Sequence, residues 1–443
     1  MKNNILKGNL LKSISFLAGP IILMNFFNAL YQLIDTYFVT TIGVNETAAV
    51  TFVGPVNQMI TSIGVGLSIA GASLVAREIG KQNKVKEFQY ANNLIIISIM
   101  LGILVAGICS HFSENILIQL GVTENLLLKS DIYFKYTVLA APFQFISAAY
   151  LGIRRAQGDT FKPSVLFIMS IVIKVFLTYF FVVHLSKGII SLALATLIAN
   201  LSLAAAGMYS LYFSRNKQVL KINKNLFNKS IVYDIIRIGI PSVLEKSATS
   251  YGFLMINQRV LFYGEAVLVA YGVTNRINSL AFASVTGIGT ATATIISQNL
   301  GAKNYKRISQ TVKVGYLTAL ALSILTMTII WIFRANIAGQ FSEKDPLVFQ
   351  HIMNAMSTYS FSIIPWGFFQ IVIGFYQGIG KTKYNLYLSL IRLYAFRLPL
   401  VIILMKLFAE IGEYSIWYAM LFSNILTAII AIAMRKKEQK KLI

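Results

Sequence analysis

The chain has 443 residues, of which 56 % belong to the hydrophobic set AVILMFWYC and 12 % are charged, with a mean hydropathy of +0.68. Soluble domains average about 25 % charged residues, so a soluble globular protein is excluded. Lys and Arg number 39 against 16 Asp plus Glu, a net charge of +23; apolar runs about 20 residues long split these cations into short clusters, so the excess reads as membrane topology and no nucleic-acid partner is expected.

Twelve segments are long enough to cross about 30 Å of hydrocarbon at about 1.5 Å per residue. They centre near residues 26, 62, 101, 142, 175, 201, 248, 283, 323, 365, 396 and 424. The first apolar run follows Lys2, Lys7 and Lys12. It runs past the length of a signal-peptide core and has no small-residue cleavage site, so it is expected to stay as the first span. Within it Asn25, Asn28, Gln32 and Asp35 are spaced three, four and three apart, which places them along one stripe of a helix. Such a stripe cannot face lipid. A carboxylate among apolar neighbours is costly when ionised and can exchange a proton as hydration changes, which makes Asp35 the expected coupling residue.

In the fifth span Ser170, Lys174 and Thr178 share one face at a spacing of four. A Lys near mid-membrane needs a counter-charge or a water-filled cavity. Asp35 is the one acid embedded in this half, so it is the expected partner of Lys174. The seventh span carries a second stripe, Ser242, Glu245, Thr249 and Gly252. Glu245 lies about ten residues in from one end of its span and Arg276 about ten in from the opposite end of the next, so both approach the midplane. They are expected to pair, with Lys246 as the alternative partner. Arg397 and Lys246 add cations to a cavity, and Tyr31, Tyr136 and Trp366 are candidate aromatic walls.

With both termini placed in the cytoplasm, the cytoplasmic loops hold 26 Lys and Arg against five in the opposite loops, Lys129, Lys187, Arg334, Lys344 and Lys406. The longest charged connection, residues 214–229, follows the sixth span and divides the chain into an expected N-terminal lobe, 1–222, and a C-terminal lobe, 223–443. The halves repeat. At an offset of 221, Asn57 matches Asn278, Gly80 matches Gly301, Asn83 matches Asn304 and Pro20 matches Pro241; at 222, Gly158-Asp159-Thr160 matches Gly380-Lys381-Thr382. Six spans separate equivalent points, so the copies run in the same direction, related by an axis along the membrane normal. The expected fold is all-α and polytopic: twelve transmembrane helices in two parallel six-helix repeats around a central cavity.

Other chemistries find little support. Cys109 alone cannot form an internal disulfide, and three His without ligand spacing offer no zinc site. Gly378 to Thr382 resembles a phosphate-binding loop but lacks the upstream glycine spacing and a preceding strand. No nucleophile and base pair or acidic metal cluster suggests an enzyme, and no cofactor is implied.

Leu30 to Thr36 resembles an LYNLVDT-type motif, and Gln157-Gly158-Asp159-Thr160 resembles a GxGDT loop. Gly239-Ile240-Pro241-Ser242 and Ser297 to Ala302 resemble the matching second-half elements. These motifs are similar to those of the multidrug and toxic compound extrusion (MATE) transporters, especially the bacterial DinF-type branch. The resemblance implies twelve helices, two lobes forming a V-shaped cavity and export driven by a proton or sodium gradient. One departure stands out. Where many members carry an Asn and, four residues later, an Asp beside the first-span carboxylate, this chain has Lys174 and Thr178. Asp35, Lys174 and Thr178 are therefore the expected ion-coupling residues. Asn25, Asn28, Tyr31, Gln32, Asn57, Glu245, Thr249, Arg276, Asn278 and Arg397 are the expected cavity residues. The expected function is antiport of amphiphilic organic compounds against protons, less readily sodium, by a monomer in the cytoplasmic membrane. The excess of embedded cations keeps open an alternative, a flippase or exporter of an anionic or lipid-linked saccharide.

Overall fold

The structure is a computed structural model that describes residues 2–185, 188–213, 228–342 and 345–442. Among them ten helical segments are long and apolar enough to span a membrane: α1 Leu10–Ile42, α2 Asn45–Gly80, α3 Lys84–His111, α5 Phe161–His184, α6 Ile190–Tyr212, α8 Glu265–Gly301, α9 Tyr305–Phe341, α10 Pro346–Gly378, α11 Lys383–Leu407 and α12 Tyr414–Lys440. The bent pair Glu124–Val138 and Ala141–Ala156, at 42°, forms α4. The helix Lys229–Leu261 is α7; its 33 residues suffice to cross, but Glu245 and Lys246 make it more polar than the rest. These are the twelve expected segments. The boundary expected between residues 222 and 223 lies outside the described residues.

Helices are dictated by the solvent, because a lipid-exposed peptide group can be satisfied only within its own helix. Interruptions therefore occur where sequence chemistry forces them. The break in α4 falls at Leu139 and Ala140, just ahead of Pro142, which has no N–H to continue the ladder. In α10 a 3-10 turn, Ser360–Ser362, stands at the corresponding place ahead of Pro365.

The described residues pack as two compact units, one built from Phe26–Leu244 and the other from Asn3–Asn25 with Glu245–Ile443. Thus α1 and α7 each change unit partway along. In the second unit, Ile14 and Leu17 of early α1 are buried in a core with Val285, Ile288, Ile295, Phe369 and Phe375. In the first, Phe134, Phe145 and Tyr150 of α4 are fully buried.

The repeat is visible as geometry in each unit. Gln82 and Lys303 both adopt left-handed backbone, φ 58° and 56°. The next residue then caps α3 or α9: Lys86 N donates to Asn83 Oδ1 at 3.1 Å, and Arg307 N to Asn304 Oδ1 at 3.2 Å. The loops after α4 and α10 also match. Gly158 and Gly380 have φ 79° and 73°, and Asp159 N donates to Arg154 O at 3.0 Å as Lys381 N donates to Tyr376 O at 2.8 Å. Gly380-Lys381-Thr382 is a helix-ending turn.

Within each unit the most extensive helix pair is also equivalent, α2 against α4 and α8 against α10. A Cβ placed on Gly152 would fall 2.5 Å from the carbonyl oxygen of Ser68. At an offset of 222, Gly374 faces the carbonyl oxygen of Gly289 in the same way. In lipid, where apolar transfer gives no drive between helices, this close backbone approach is the main source of packing energy. Gly152→Ala and Gly374→Ala should each destabilise by about 1–3 kcal/mol, whereas Gly339→Ala, which meets nothing within 4 Å, should be neutral or mildly stabilising. Melting temperatures of the purified variants in detergent check this; equal values for all three would refute the packing argument.

Candidate functional site

Asp35 sits on the part of α1 that belongs to the first unit, and Lys174 on α5 of the same unit. Lys174 Nζ lies 3.8 Å from Asp35 Oδ1 and 4.2 Å from the centre of the Tyr31 ring. The first distance is too long for a direct hydrogen bond but close enough for strong Coulomb attraction. The ring face below the ammonium adds a cation–π contact. Their side chains are 13 % and 24 % exposed, so the pair is neither dry nor freely solvated. Its strength therefore depends on how much water reaches it. Thr178, one turn beyond Lys174, is buried and its hydroxyl has no hydrogen-bond partner among the described residues.

Beside this pair lies a cavity of about 390 Å³, within the range of small-molecule sites. Five helices of the first unit line it, each with one face. From α1 come Asn28 and Tyr31; from α2, Thr61, Val65, Ser68 and Ile69; from α4, Gln144, Ser147, Leu151 and Arg155; from α5, Phe167, Ser170, Ile171 and Lys174; from α6, Thr196, Asn200 and Leu203. Recurrence at three and four residues makes these continuous stripes. Gln144 Nε2 donates to Thr61 Oγ1 at 3.1 Å, tying α4 to α2 across the wall. The lining contains two cations and no carboxylate.

The stripe read from α1 does not act as one surface. Asn25 belongs to the second unit, where its Nδ2 donates to Ala283 O at 3.0 Å, while Asn28, Gln32 and Asp35 belong to the first. Gln32 is exposed, and Asn57 is half-buried; neither lines the cavity.

In the second unit the expected pair of Glu245 and Arg276 is not formed. Glu245 is buried, accepts from Ser389 Oγ at 3.2 Å and lies 3.8 Å from Lys246 Nζ. Arg276 points to the exposed side of α8. Rotation about the helix axis separates the two, since Glu245 is buried and Arg276 is exposed. Thr249 turns its hydroxyl onto Glu245 O at 2.7 Å, and Asn278 is buried with its Oδ1 accepting from Ser360 Oγ at 3.2 Å. Arg397 is buried too. Its Nε donates to Ser423 Oγ at 3.0 Å and its Nη2 to Asn424 Oδ1 at 2.7 Å. A cavity of about 600 Å³ in this unit is lined by Phe253, Asn257, Tyr271, Asn275, Ser279, Phe282 and Tyr359, with no charged side chain. None of the expected cavity residues lines it.

Of the expected aromatic walls, Tyr31 lines the first-unit cavity, Tyr136 is exposed, and Trp366 lies under the guanidinium of Arg392, 4.7 Å from its ring centre. Arg155, Gln144 and Asn200 were missed because the first counts among loop cations and the others sit in spans with no embedded acid. Arg392 was missed as well; its five-residue spacing from Arg397 is not helical, and a π-helical stretch, Ile391–Arg397, brings both inside.

The MatE family model matches residues 20–180 and again 241–403. The Bacillus subtilis (strain 168) protein named Probable multidrug resistance protein YoeA is 24 % identical over 409 residues, 90 % of this chain and 88 % of that protein. Multidrug export protein MepA of Staphylococcus aureus (strain NCTC 8325 / PS 47) is 22 % identical over 345 residues, 77 % of this chain and 76 % of that protein. Among solved structures, the outward-facing conformation of a multidrug resistance MATE family transporter of the MOP superfamily superimposes with a TM-score of 0.95 at 21 % identity, over 99 % of this chain and 98 % of that one. That likeness shows the fold. Two matched halves, one per repeat, together with the twelve helices establish that the chain belongs to the MatE family, the multidrug and toxic compound extrusion transporters whose motifs it carries.

Proposed function

We propose that this protein is a secondary active antiporter that exports amphiphilic organic compounds in exchange for protons, with Asp35 as the coupling carboxylate and Lys174 as its counter-ion. The observation that carries the reading is the Asp35 and Lys174 contact, 3.8 Å across, beside a 390 Å³ cavity lined by both apolar and polar groups. Relatives named for multidrug resistance and multidrug export support an organic substrate. In this reading the two six-helix lobes, 1–222 and 223–443, rock about a monomer's central cavity, with both termini in the cytoplasm. Asp35 alternates between ionised and protonated forms, and substrate and proton occupy competing states. The proton breaks the ion pair by removing the negative charge. Lys174 stands where a second carboxylate would have helped coordinate sodium, which supports the proton as the coupling ion.

Topology is tested by cysteine accessibility in a Cys109-free background. Cysteines placed at Lys84 should label only from the cytoplasm and at Glu124 only from outside; the reverse pattern would invert the assignment.

Coupling is tested in inverted vesicles with imposed gradients. Asp35→Asn should lower gradient-driven export roughly tenfold or more while retaining substrate binding. Coupled efflux at the unsubstituted rate would remove Asp35 from the mechanism.

The ion pair gives a further outcome. Lys174→Ala removes the positive neighbour that favours the ionised carboxylate, so the pH profile of transport should move upward by about one unit or more. Asp35→Asn with Lys174→Ala should cost less than the two single changes added, by about 0.5–3 kcal/mol. Strict additivity or an unmoved profile would sink the pairing, and sodium-dependent transport at fixed pH would overturn the choice of ion.

A further inference from the structure

Two consecutive arginines close the helix Ala141–Ala156, and the fold uses them in opposite ways. Arg154 is buried and committed: its Nη1 donates to Gln157 Oε1 at 3.0 Å, and its Nη2 donates to the carbonyl and hydroxyl oxygens of Ser210. It fastens the end of α4 to α6. Arg155, one residue on and therefore about 100° around the helix, lines the first-unit cavity. No hydrogen bond or ion pair joins its guanidinium to any other described residue. The other cation of the lining, Lys174, already has Asp35 at 3.8 Å and the Tyr31 ring at 4.2 Å. The free charge of the cavity thus belongs to Arg155.

A guanidinium on the wall of a cavity inside a membrane protein is costly unless an anion or water meets it. Its planar fork of donors matches the paired oxygens of a carboxylate, sulfonate or phosphate. The remaining wall is apolar with scattered hydroxyl and amide groups, which suits a hydrophobic body attached to that anion. We infer that the first-unit cavity binds an amphiphilic organic anion whose oxyanion group is held by Arg155. This rests on the export reading only in naming the class of compound exported; the site itself is read from the cavity and its charges.

The separation of roles also fits the proposed proton coupling. Arg155 lies one residue before the end of its helix, and Lys174 lies 13 residues beyond Phe161, the first residue of α5. At about 1.5 Å per residue this is a depth difference of order 20 Å along the helices. The anion is anchored near one end of the cavity and the Asp35 and Lys174 pair titrates near the other, so the anion need not displace Asp35 from its counter-ion.

Equilibrium binding to the full-length protein in nanodiscs tests the assignment, with no gradient imposed. The probes are 1-anilinonaphthalene-8-sulfonate, an aromatic sulfonate, and ethidium, an aromatic cation of similar size. Arg155→Gln should weaken sulfonate binding roughly tenfold or more, Arg155→Lys should restore part of it, and ethidium binding should not fall with either. Unchanged sulfonate affinity in Arg155→Gln overturns the inference, and so does an equal loss for both probes, which would report a collapsed cavity. If Arg155→Gln fails to fold, Arg155→Lys carries the test, since loss of the bidentate fork alone should weaken the sulfonate and spare ethidium. Nanodiscs of phosphatidylcholine alone, compared with discs containing phosphatidylglycerol, distinguish the sources of the oxyanion. Competition by phosphatidylglycerol that is lost in Arg155→Gln assigns a lipid headgroup, and its absence assigns a soluble amphiphile. Failure of proton-driven export in vesicles would leave this binding result standing, and failure of sulfonate binding would leave export untouched.

Discussion

An ionised side chain placed in hydrocarbon must be met by an opposite charge, a set of dipoles, an aromatic face or water, because each unmet charge there costs several kcal/mol. The embedded charges of this protein illustrate each solution. Arg154 donates to a glutamine side chain and to Ser210, and Arg397 to a hydroxyl and an amide oxygen. Arg392 lies over two aromatic rings, Trp366 and Phe369. Glu245 is held by Ser389 and the neighbouring Lys246. Lys174 has a carboxylate and a ring. Arg155 alone in this series is met by a cavity. Neutral dipoles that meet Arg154 and Arg397 come from neighbouring helices, Ser210 of α6 and Ser423 and Asn424 of α12. The salt link of Lys174 and Asp35 also joins two helices, α5 and α1, but does so beside a cavity.

The sequence made the framework legible for the same reason that it made the charges conspicuous. A segment that must satisfy its own peptide groups over about 30 Å leaves an apolar run that cannot be hidden, so all twelve segments were found. The repeat was legible because turns impose strict local demands. Asn83 and Asn304 match as caps, and Gly158 and Gly380 match because a left-handed residue is needed there. The close helix crossings at Gly152 and Gly374 followed the same offset.

The site was legible only where a residue type was improbable in its place. Lys174 and Asp35 were found because a Lys and an Asp in apolar helices demand each other, and they stand 3.8 Å apart. Periodicity could not show that α1 leaves one packing unit and enters the other just after Asn25, so a stripe continuous in sequence was divided in space. Counting residues from a span's end carries no information on the azimuth of Arg276, and it is exposed where a pairing with Glu245 would need it inside. The π-helical stretch at Ile391–Arg397 shifts the helical phase that any regular-period reading assumes. Arg155 was hidden by its neighbours. Beside Arg154 and ahead of a Gly-Asp turn it reads as a loop cation, although both arginines lie within the helix Ala141–Ala156.

The repeat and the charges also diverge in an informative way. At the offsets that superimpose the turns, Asp35 falls on Ile256, Arg155 on Gln377 and Lys174 on Phe396. The second unit therefore keeps the helix contacts of the first without its cavity charges. Its own cavity is lined by aromatic rings, amides and a hydroxyl, and the buried Arg397 is held by Ser423 and Asn424. Helix packing in lipid tolerates few changes, because a Cβ at Gly152 or Gly374 would collide with a backbone carbonyl, so this framework is shared by both copies. Cavity residues carry no such burden and are free to differ. Of these two cavities, the one in the first copy carries the cations, Arg155 and Lys174, and the one in the second carries none.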